Sequence, residues 1–288
     1  MKFLDLFAGI GGFRLGMEQA GHECVGYVEW DKFARKSYET IHNTEGEWTA
    51  HDIRKVRADE IPRADAWCFG FPCTDISIQG EMLGFNGSRS SLFFATTRLI
   101  RDTEEENRPS TLFIENVKNL LSINGGTDFL KLLVELDECG YDVEWDVINS
   151  REYSVPQNRE RVFVIGHIRG GGTRKVFPIR RSDQKTGVPI VRVAHANNYR
   201  RYWLTYNVKS SIECLDTMQG GGRQPCVQLP DGRIRKLTPR ECWRLQGFPD
   251  WAFDKAAEVN SDSQLYKQAG NSVTVNVINE IAKRLGGK

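Results

Sequence analysis

The 288-residue sequence has no run of 18 apolar residues, so nothing in it is expected to cross a membrane as a helix. Its seven cysteines are odd in number and include no C-x-x-C pair, and its five histidines show no H-x-x-x-H spacing. A disulfide framework and a structural zinc are therefore both unexpected. No metal is expected, and a reducing cytoplasm suits the chain. The opening Met1-Lys2-Phe3-Leu4-Asp5 puts an acid inside the first apolar run, which reads as a strand and not as a signal peptide. The dinucleotide fingerprint G-x-G-x-x-G is also missing. The turn Ala8-Gly9-Ile10-Gly11-Gly12 has Arg14 where the third glycine belongs.

Net charge is nearly absent, at +1, but it is not evenly spread. Residues 169–244 hold 16 of the 39 Lys and Arg but only 5 of the 38 Asp and Glu, which leaves +11 there and −10 elsewhere. Such segregation points to a polyanion-binding module beside an acidic body with another task. The length suits one large domain or two smaller ones. Gly170-Gly171-Gly172 stands at the charge discontinuity, as a hinge or boundary would.

What is present begins as strand, glycine turn and helix. Residues 2–7 read as a strand, and Phe13, Met17 and Ala20 recur at helical spacing until Gly21. Such a turn lets a ligand approach the backbone and aims helix N–H groups at it. A second strand, 24–28, ends in Glu29, placed either to accept hydrogen bonds from ribose hydroxyls or to stand as a solvated loop acid. A helix follows over 31–41, and then Asp52-Ile53, which could meet an adenine ring. The apolar run 66–69 leads into Gly70-Phe71-Pro72-Cys73, which delivers Cys73 at a strand's C-terminal end, where open α/β sheets place their sites. The polar stretch 74–91 has the length of a lid. From this stretch alone Cys73 is either a buried structural thiol or a nucleophile.

Further strands are expected over 111–114, ending in Glu115-Asn116-Val117, over 141–149, and over 162–165 after Gln157-Asn158-Arg159-Glu160-Arg161. A carboxylate leaving a buried strand is costly unless it is paired or working. The two arginines either face the same site or lie on the surface. Helices are expected from Leu92, from Phe129, and over 240–246 with Pro239 as a first helical residue. Gln268-Ala269-Gly270-Asn271-Ser272 is expected to open a last helix carrying Val273, Val277 and Ile281, capped by Asn271 or Ser272. In the basic segment, Tyr199-Arg200-Arg201-Tyr202-Trp203 interleaves cations with aromatics, as phosphate contact and base stacking require.

Six of these motifs occur in order: 7–12, 70–73, 115–117, 157–161, Arg235-Lys236-Leu237-Thr238-Pro239-Arg240-Glu241-Cys242, and 270–273. Together they resemble the DNA (cytosine-5) methyltransferases of bacterial restriction–modification systems and their phages, over nearly the whole chain. The resemblance implies a Rossmann-like α/β sheet with helices on both faces that binds S-adenosylmethionine, plus a small, mostly β target-recognition domain. The implied division is 1–172 plus 262–288 for catalysis and 173–261 for recognition and hinge. It implies Cys73 as nucleophile toward carbon 6 of a flipped-out cytosine, Glu115 at N3, and Arg161 at O2 with Arg159 in support. Implied cofactor contacts are Phe7, Gly9, Gly11, Glu29, Trp30, Asp52, Ile53, Pro72, Leu92, Asn271 and Val273. Ser77, Gln79 and Arg89 of the loop, with Arg200, Arg201, Gly221 and Arg223 of the basic segment, are expected to face double-stranded DNA. A monomer is expected, with any cognate restriction endonuclease acting separately.

The chain departs from the family pattern at Thr74, where glutamine is usual, and at Ile76, where an aromatic is common. Asp75 beside the nucleophile opposes thiolate formation, which Arg159 and Arg161 would have to offset. Rival readings are a nicotinamide oxidoreductase, opposed by Arg14 and the basic segment, and a silent DNA-binding relative, opposed by Cys73, Glu115 and Arg161. A methyltransferase acting on tRNA cytosine is a closer alternative.

Overall fold

The computed structural model describes residues 1–71, 92–172, 175–179, 205–207, 211–217 and 224–285. The first half alternates strand and helix: β1 (Lys2–Leu6), α1 (Gly12–Gln19), β2 (Glu23–Val28), α2 (Lys32–Ile41), β3 (Trp48–Ala50), β4 (Ala66–Gly70), α3 (Leu92–Asp102), β5 (Thr111–Val117), α4 (Thr127–Glu138), β6 (Tyr141–Asn149), β7 (Gln157–Asn158) and β8 (Glu160–Ile168). Seven of these strands form one sheet in the order β3-β2-β1-β4-β5-β8-β6. Pairing is parallel from β3 to β5, and β8 runs antiparallel to both β5 and β6.

The inner strands β4 and β5 are buried on both faces, which explains their unbroken apolar runs, while the edge strands β3 and β6 are partly exposed. In β4, Trp67 and Phe69 enter a core shared with Phe93 and Leu99 of α3 and Leu132 and Leu136 of α4. Ala66 and Cys68 enter the opposite core, with Phe13 and Met17 of α1. From β1 the chain crosses one way to β2, and from β4 it crosses the other way to β5. The resulting crevice, at the carboxyl ends of β1 and β4, is where such sheets bind ligands.

The remaining elements are β9 (Thr205–Asn207), β10 (Ile212–Glu213), β11 (Cys226–Gln228), β12 (Ile234–Lys236), α5 (Pro239–Arg244), α6 (Asp250–Ala257), α7 (Asp262–Asn271) and α8 (Val275–Ala282). Strands β9, β11 and β12 make a small sheet, while β10 pairs in parallel with β7. Helices α5 and α6 share a core with Ile41 of α2, and Lys255 donates to the Ile41 carbonyl at 3.2 Å. Among the described residues no helix is long and apolar enough to cross a membrane.

Local chemistry explains the boundaries. Asp31 caps α2, its Oδ1 accepting from the N–H groups of Phe33 and Ala34 at 2.8 and 3.2 Å. Thr238 and Glu241 form a reciprocal capping box on α5, with Pro239 at its first position. Two expectations need correction. Strand β5 continues through Val117, because β8 offers partners to Glu115, Asn116 and Val117. Glu115 therefore lies within the strand. The last helix does not open at Asn271 either: α7 ends there, and α8 starts at Val275 after Thr274. The intervening main chain is satisfied by tertiary bonds, including Val275 N–H to the Gln246 carbonyl at 2.9 Å, so no helix is needed there.

Helix α8 lies against α1, and Gly16 permits the approach. A Cβ at Gly16 would stand 2.6 Å from the Ile278 Cβ. Gly16→Val should therefore cost stability on the order of 1–3 kcal/mol through overpacking, more than the few tenths that better helix propensity returns. A lowered urea midpoint checks this, and an unchanged midpoint would contradict the packing.

Candidate active site

A cavity of about 810 Å³ opens at the carboxyl ends of β1, β2, β4 and β5. Phe7 through Ile10 form its floor, beyond β1. Phe7 and Gly9 both have φ of 57°, a left-handed backbone that a phenylalanine adopts only when its surroundings impose it. Nothing stands within 4 Å of a Cβ built on Gly9, so this side of the turn is open. Gly11 is not among the lining residues. Its left-handed φ of 85° starts α1, and any side chain there would collide with the His42 imidazole.

Glu29 leaves β2 and closes the same end of the cavity. Its two carboxylate oxygens accept from the N–H groups of Gly9 and Asp31, each at 2.6 Å. Burial raises its pKa, while those two donors favour the charged form. Glu29 thus ties the glycine turn to the end of β2. Beside it Trp30 is 65% exposed, an indole face offered to the cavity. The Arg54 guanidinium lies 4.9 Å from the Trp30 ring centroid and pairs with Asp52 at 2.9 Å. Asp52 and Ile53 themselves are not among the lining residues. Asp52 accepts from the Arg54 N–H at the head of a short 3₁₀ turn, and Ile53 is buried in the core. Leu92, Asn271 and Val273 do line the cavity.

The other end is built where β4, β5 and β8 meet. Gly70 is paired with Glu115, and Glu115 with Phe163. Arg161 Nε lies 3.1 Å from Glu115 Oε1, both side chains being mostly covered. Gly70 leaves room for that carboxylate, since a Cβ there would stand 3.1 Å from Glu115 Oε2. Asn116 donates from Nδ2 to the Phe71 carbonyl at 2.9 Å, fixing the chain two residues before Cys73. Arg159 also lines the cavity, but its hydrogen bonds go to the wall rather than to Glu115. Its guanidinium is buried and donates to the Ser272 carbonyl at 2.8 Å. It supports the cavity wall, whereas Arg161 supplies the cation beside Glu115.

Cys73 and Pro72 lie outside the described residues, as do Ser77, Gln79, Arg89, Arg200, Arg201, Gly221 and Arg223. Among the described residues no group of three or more His, Cys, Asp and Glu is arranged to hold a metal ion. Several lining residues escaped the sequence reading. Asn116 was visible as the middle of Glu115-Asn116-Val117 but had no assigned task. Lys267 and Asp31 pair at 2.6 Å across 236 positions, and no local pattern announces such a contact. Burial would raise the Asp31 pKa, but Lys267 and the two capping N–H groups outweigh it and hold the carboxyl below its usual range.

Known proteins share this sequence and this fold. The family described as C-5 cytosine-specific DNA methylase matches residues 1–199 and 170–287. The type II methyltransferase M.HhaI of Haemophilus parahaemolyticus is 34% identical over 320 residues, covering 99% of this chain and 94% of that protein. M.DsaV of Dactylococcopsis salina is 33% identical, with 99% and 86% covered. Among solved structures, the Dnmt2 methyltransferase of S. pombe superposes with a TM-score of 0.78 at 20% identity, covering 97% of this chain and 96% of that one. A putative DNA modification methyltransferase from an E. coli prophage gives 0.68 at 19% identity, with 99% and 98% covered. Those two likenesses speak for the fold, and the sequence matches for descent: the chain belongs to the C-5 cytosine-specific DNA methylase family.

Proposed function

We propose that the protein methylates carbon 5 of a cytosine flipped out of a specific duplex DNA sequence, through a covalent bond from Cys73 to carbon 6. The observation that carries this reading is the Glu115–Arg161 pair of β5 and β8, which lies beside Gly70, the end of β4 three residues before Cys73, in the same cavity as Glu29 and Trp30. The cavity suits S-adenosylmethionine: the glycine turn is open, the Glu29 carboxylate reaches the rim, and an indole lies exposed beside it. When bound, that cofactor supplies an electrophilic methyl group.

The chain's residues do the rest. Carbon 5 of cytosine is a poor nucleophile within an aromatic ring. Addition of the Cys73 thiolate at carbon 6 breaks the aromaticity and moves electron density to carbon 5. Negative charge then builds at N3 and O2, where Glu115 gives a proton to N3 and Arg161 contacts O2. After carbon 5 is alkylated, a base removes its proton, the electrons return to the ring, and the thiolate leaves. A stacked base cannot reach these groups, so the cytosine leaves the helix and the 74–91 segment closes over it. Residues 173–261 read the target, with Arg200, Arg201, Gly221 and Arg223 against DNA, and Ser77, Gln79 and Arg89 contribute from the loop. The enzyme acts as a cytoplasmic monomer. Labelled methyl donor offered with duplex DNA or with tRNA, followed by nucleoside analysis, tests the substrate class. Label in tRNA alone would overturn the DNA reading.

Cys73→Ser should lose nearly all turnover while still binding cofactor and DNA. Target DNA carrying 5-fluorocytosine should trap an adduct on Cys73, since fluorine cannot leave as a proton does. Active enzyme with no adduct by mass spectrometry would remove Cys73 from the mechanism. Glu115→Gln should slow single-turnover methyl transfer by about 10²-fold or more, a general acid's usual contribution, with cofactor affinity little changed. Collapse of cofactor binding with intact chemistry would contradict the N3 assignment.

The charge segregation supports the reading that phosphate contacts lie in the +11 segment. Each phosphate neutralised there should add about −0.9 to the log–log salt slope. Arg200→Ala, Arg201→Ala and Arg223→Ala should divide into two kinds. Some flatten the slope for all sequences, and others relax specificity at one base pair by about 1–3 kcal/mol. Affinity against salt on cognate and single-mismatch duplexes separates these, and three unchanged variants would move recognition out of this segment.

A further inference from the structure

One wall of the cavity is made from two stretches of chain far apart in sequence: Leu215 to Thr217, and Gly270 to Val273. They touch without intervening side chains. A Cβ on Gly270 would collide with the Asp216 carbonyl, so only glycine allows the contact. A single cation spans the seam. Arg159, 3% exposed, donates from Nη2 to the carbonyls of Ser272 at 2.8 Å and Gly270 at 3.4 Å. From Nη1 it reaches the Leu215 carbonyl at 3.4 Å and Cys214 Sγ at 3.2 Å.

The anchor behind this cation is firm. Arg159's own N–H donates to Asn149 Oδ1 at 3.2 Å, and its carbonyl accepts from the Ser150 N–H at 2.9 Å. Two positions earlier, Gln157 accepts from the Leu215 N–H at 3.0 Å and donates to the Leu245 carbonyl at 2.9 Å. The 270–273 stretch faces the proposed cofactor. The 211–217 stretch continues directly into residues 218–223, within the basic segment.

We propose that Arg159 is a positioning residue that couples cofactor binding to DNA binding by holding these two stretches as one wall. This rests on the functional reading above. A buried guanidinium must keep its acceptors. Movement of either stretch away from Arg159 strands the charge, so the two are constrained to move together. A cofactor that settles against 270–273 thereby fixes 214–217, and DNA bound by the basic segment fixes the cofactor wall. Linkage requires the two effects to be equal in size.

The test uses the full chain, S-adenosylhomocysteine, and a duplex on which the wild-type enzyme installs 5-methylcytosine, found by bisulfite sequencing of treated plasmid. DNA affinity is measured with and without saturating S-adenosylhomocysteine. Wild type should show a ratio of about 5-fold or more, in the usual range of coupling between sites. Arg159→Lys keeps the charge but loses the planar fork and should bring the ratio close to 1. Cys214→Ala removes one exposed partner and should lower the ratio part of the way, which decides the matter if Arg159→Lys does not fold. A wild-type ratio of 1 overturns the proposal. So does a variant ratio equal to wild type, even with both affinities weakened, since that is the mark of packing alone. A protein that methylates no DNA fails the functional reading first and takes this proposal with it.

Discussion

A carboxylate on a central strand must find a partner, and that requirement organises the end of the cavity where β4, β5 and β8 meet. Glu115 lies on β5, between β4 and β8, and its strand neighbours are Gly70 and Phe163. A fully parallel continuation of the sheet would bring another strand's carboxyl end beside it. The antiparallel β8 instead brings its own beginning there, and with it Arg161. The reversal of one strand therefore places a cation against the carboxylate. The acid and the cation are preorganised by backbone pairing rather than by loop conformation, which is how a site gains electrostatic strength without reorganising during reaction.

The other half of the cavity meets a different constraint, and Arg14 shows it. In a dinucleotide site the second glycine lets the backbone approach a pyrophosphate and the third lets the helix pack closely on the strand. Here Arg14 is buried instead. It holds both oxygens of Glu47 at 2.7 Å and Glu18 at 2.8 Å. The turn keeps the first two glycines, Gly9 and Gly11, and gives up the third, the packing glycine, to Arg14. Glu29, bonded to the Gly9 N–H, then sets where the turn stands relative to β2.

Much of this was legible because the signals are local. The run 66–69 reads as a buried strand and becomes β4, Asp31 precedes α2 and caps it, and Thr238-Pro239 opens α5. Helix α6 had a signal in Pro249 followed by Asp250, which the reading passed over. The failures are places where distant chain decides. Glu115 stays inside its strand because β8 lies alongside. The break between α7 and α8 persists because Gln246 and Arg159 satisfy main-chain groups that a helix would otherwise have to satisfy. Arg159 and Arg161, two positions apart, read as either facing one site or lying on the surface; both line the cavity and both reach Cys214 Sγ. What the spacing does not report is that Arg159 also finds carbonyls 56 to 113 residues away, while Arg161 pairs with Glu115.

Gly270 carries the same lesson for a motif. Read alone, Gly270-Asn271-Ser272-Val273 is a cofactor contact, and Asn271 and Val273 do line the cavity. The glycine at its head answers to something else, the Asp216 carbonyl that lies where a Cβ would be. One short motif therefore faces two ways, toward the cavity through two side chains and toward the basic segment through a missing one. The cation that spans the seam between 214–217 and 270–273, Arg159, is sealed from water and held by main-chain carbonyls and Cys214 Sγ. Its hold depends on geometry more than on salt, so the wall should keep its shape while the surface contacts of the basic segment respond to ionic strength.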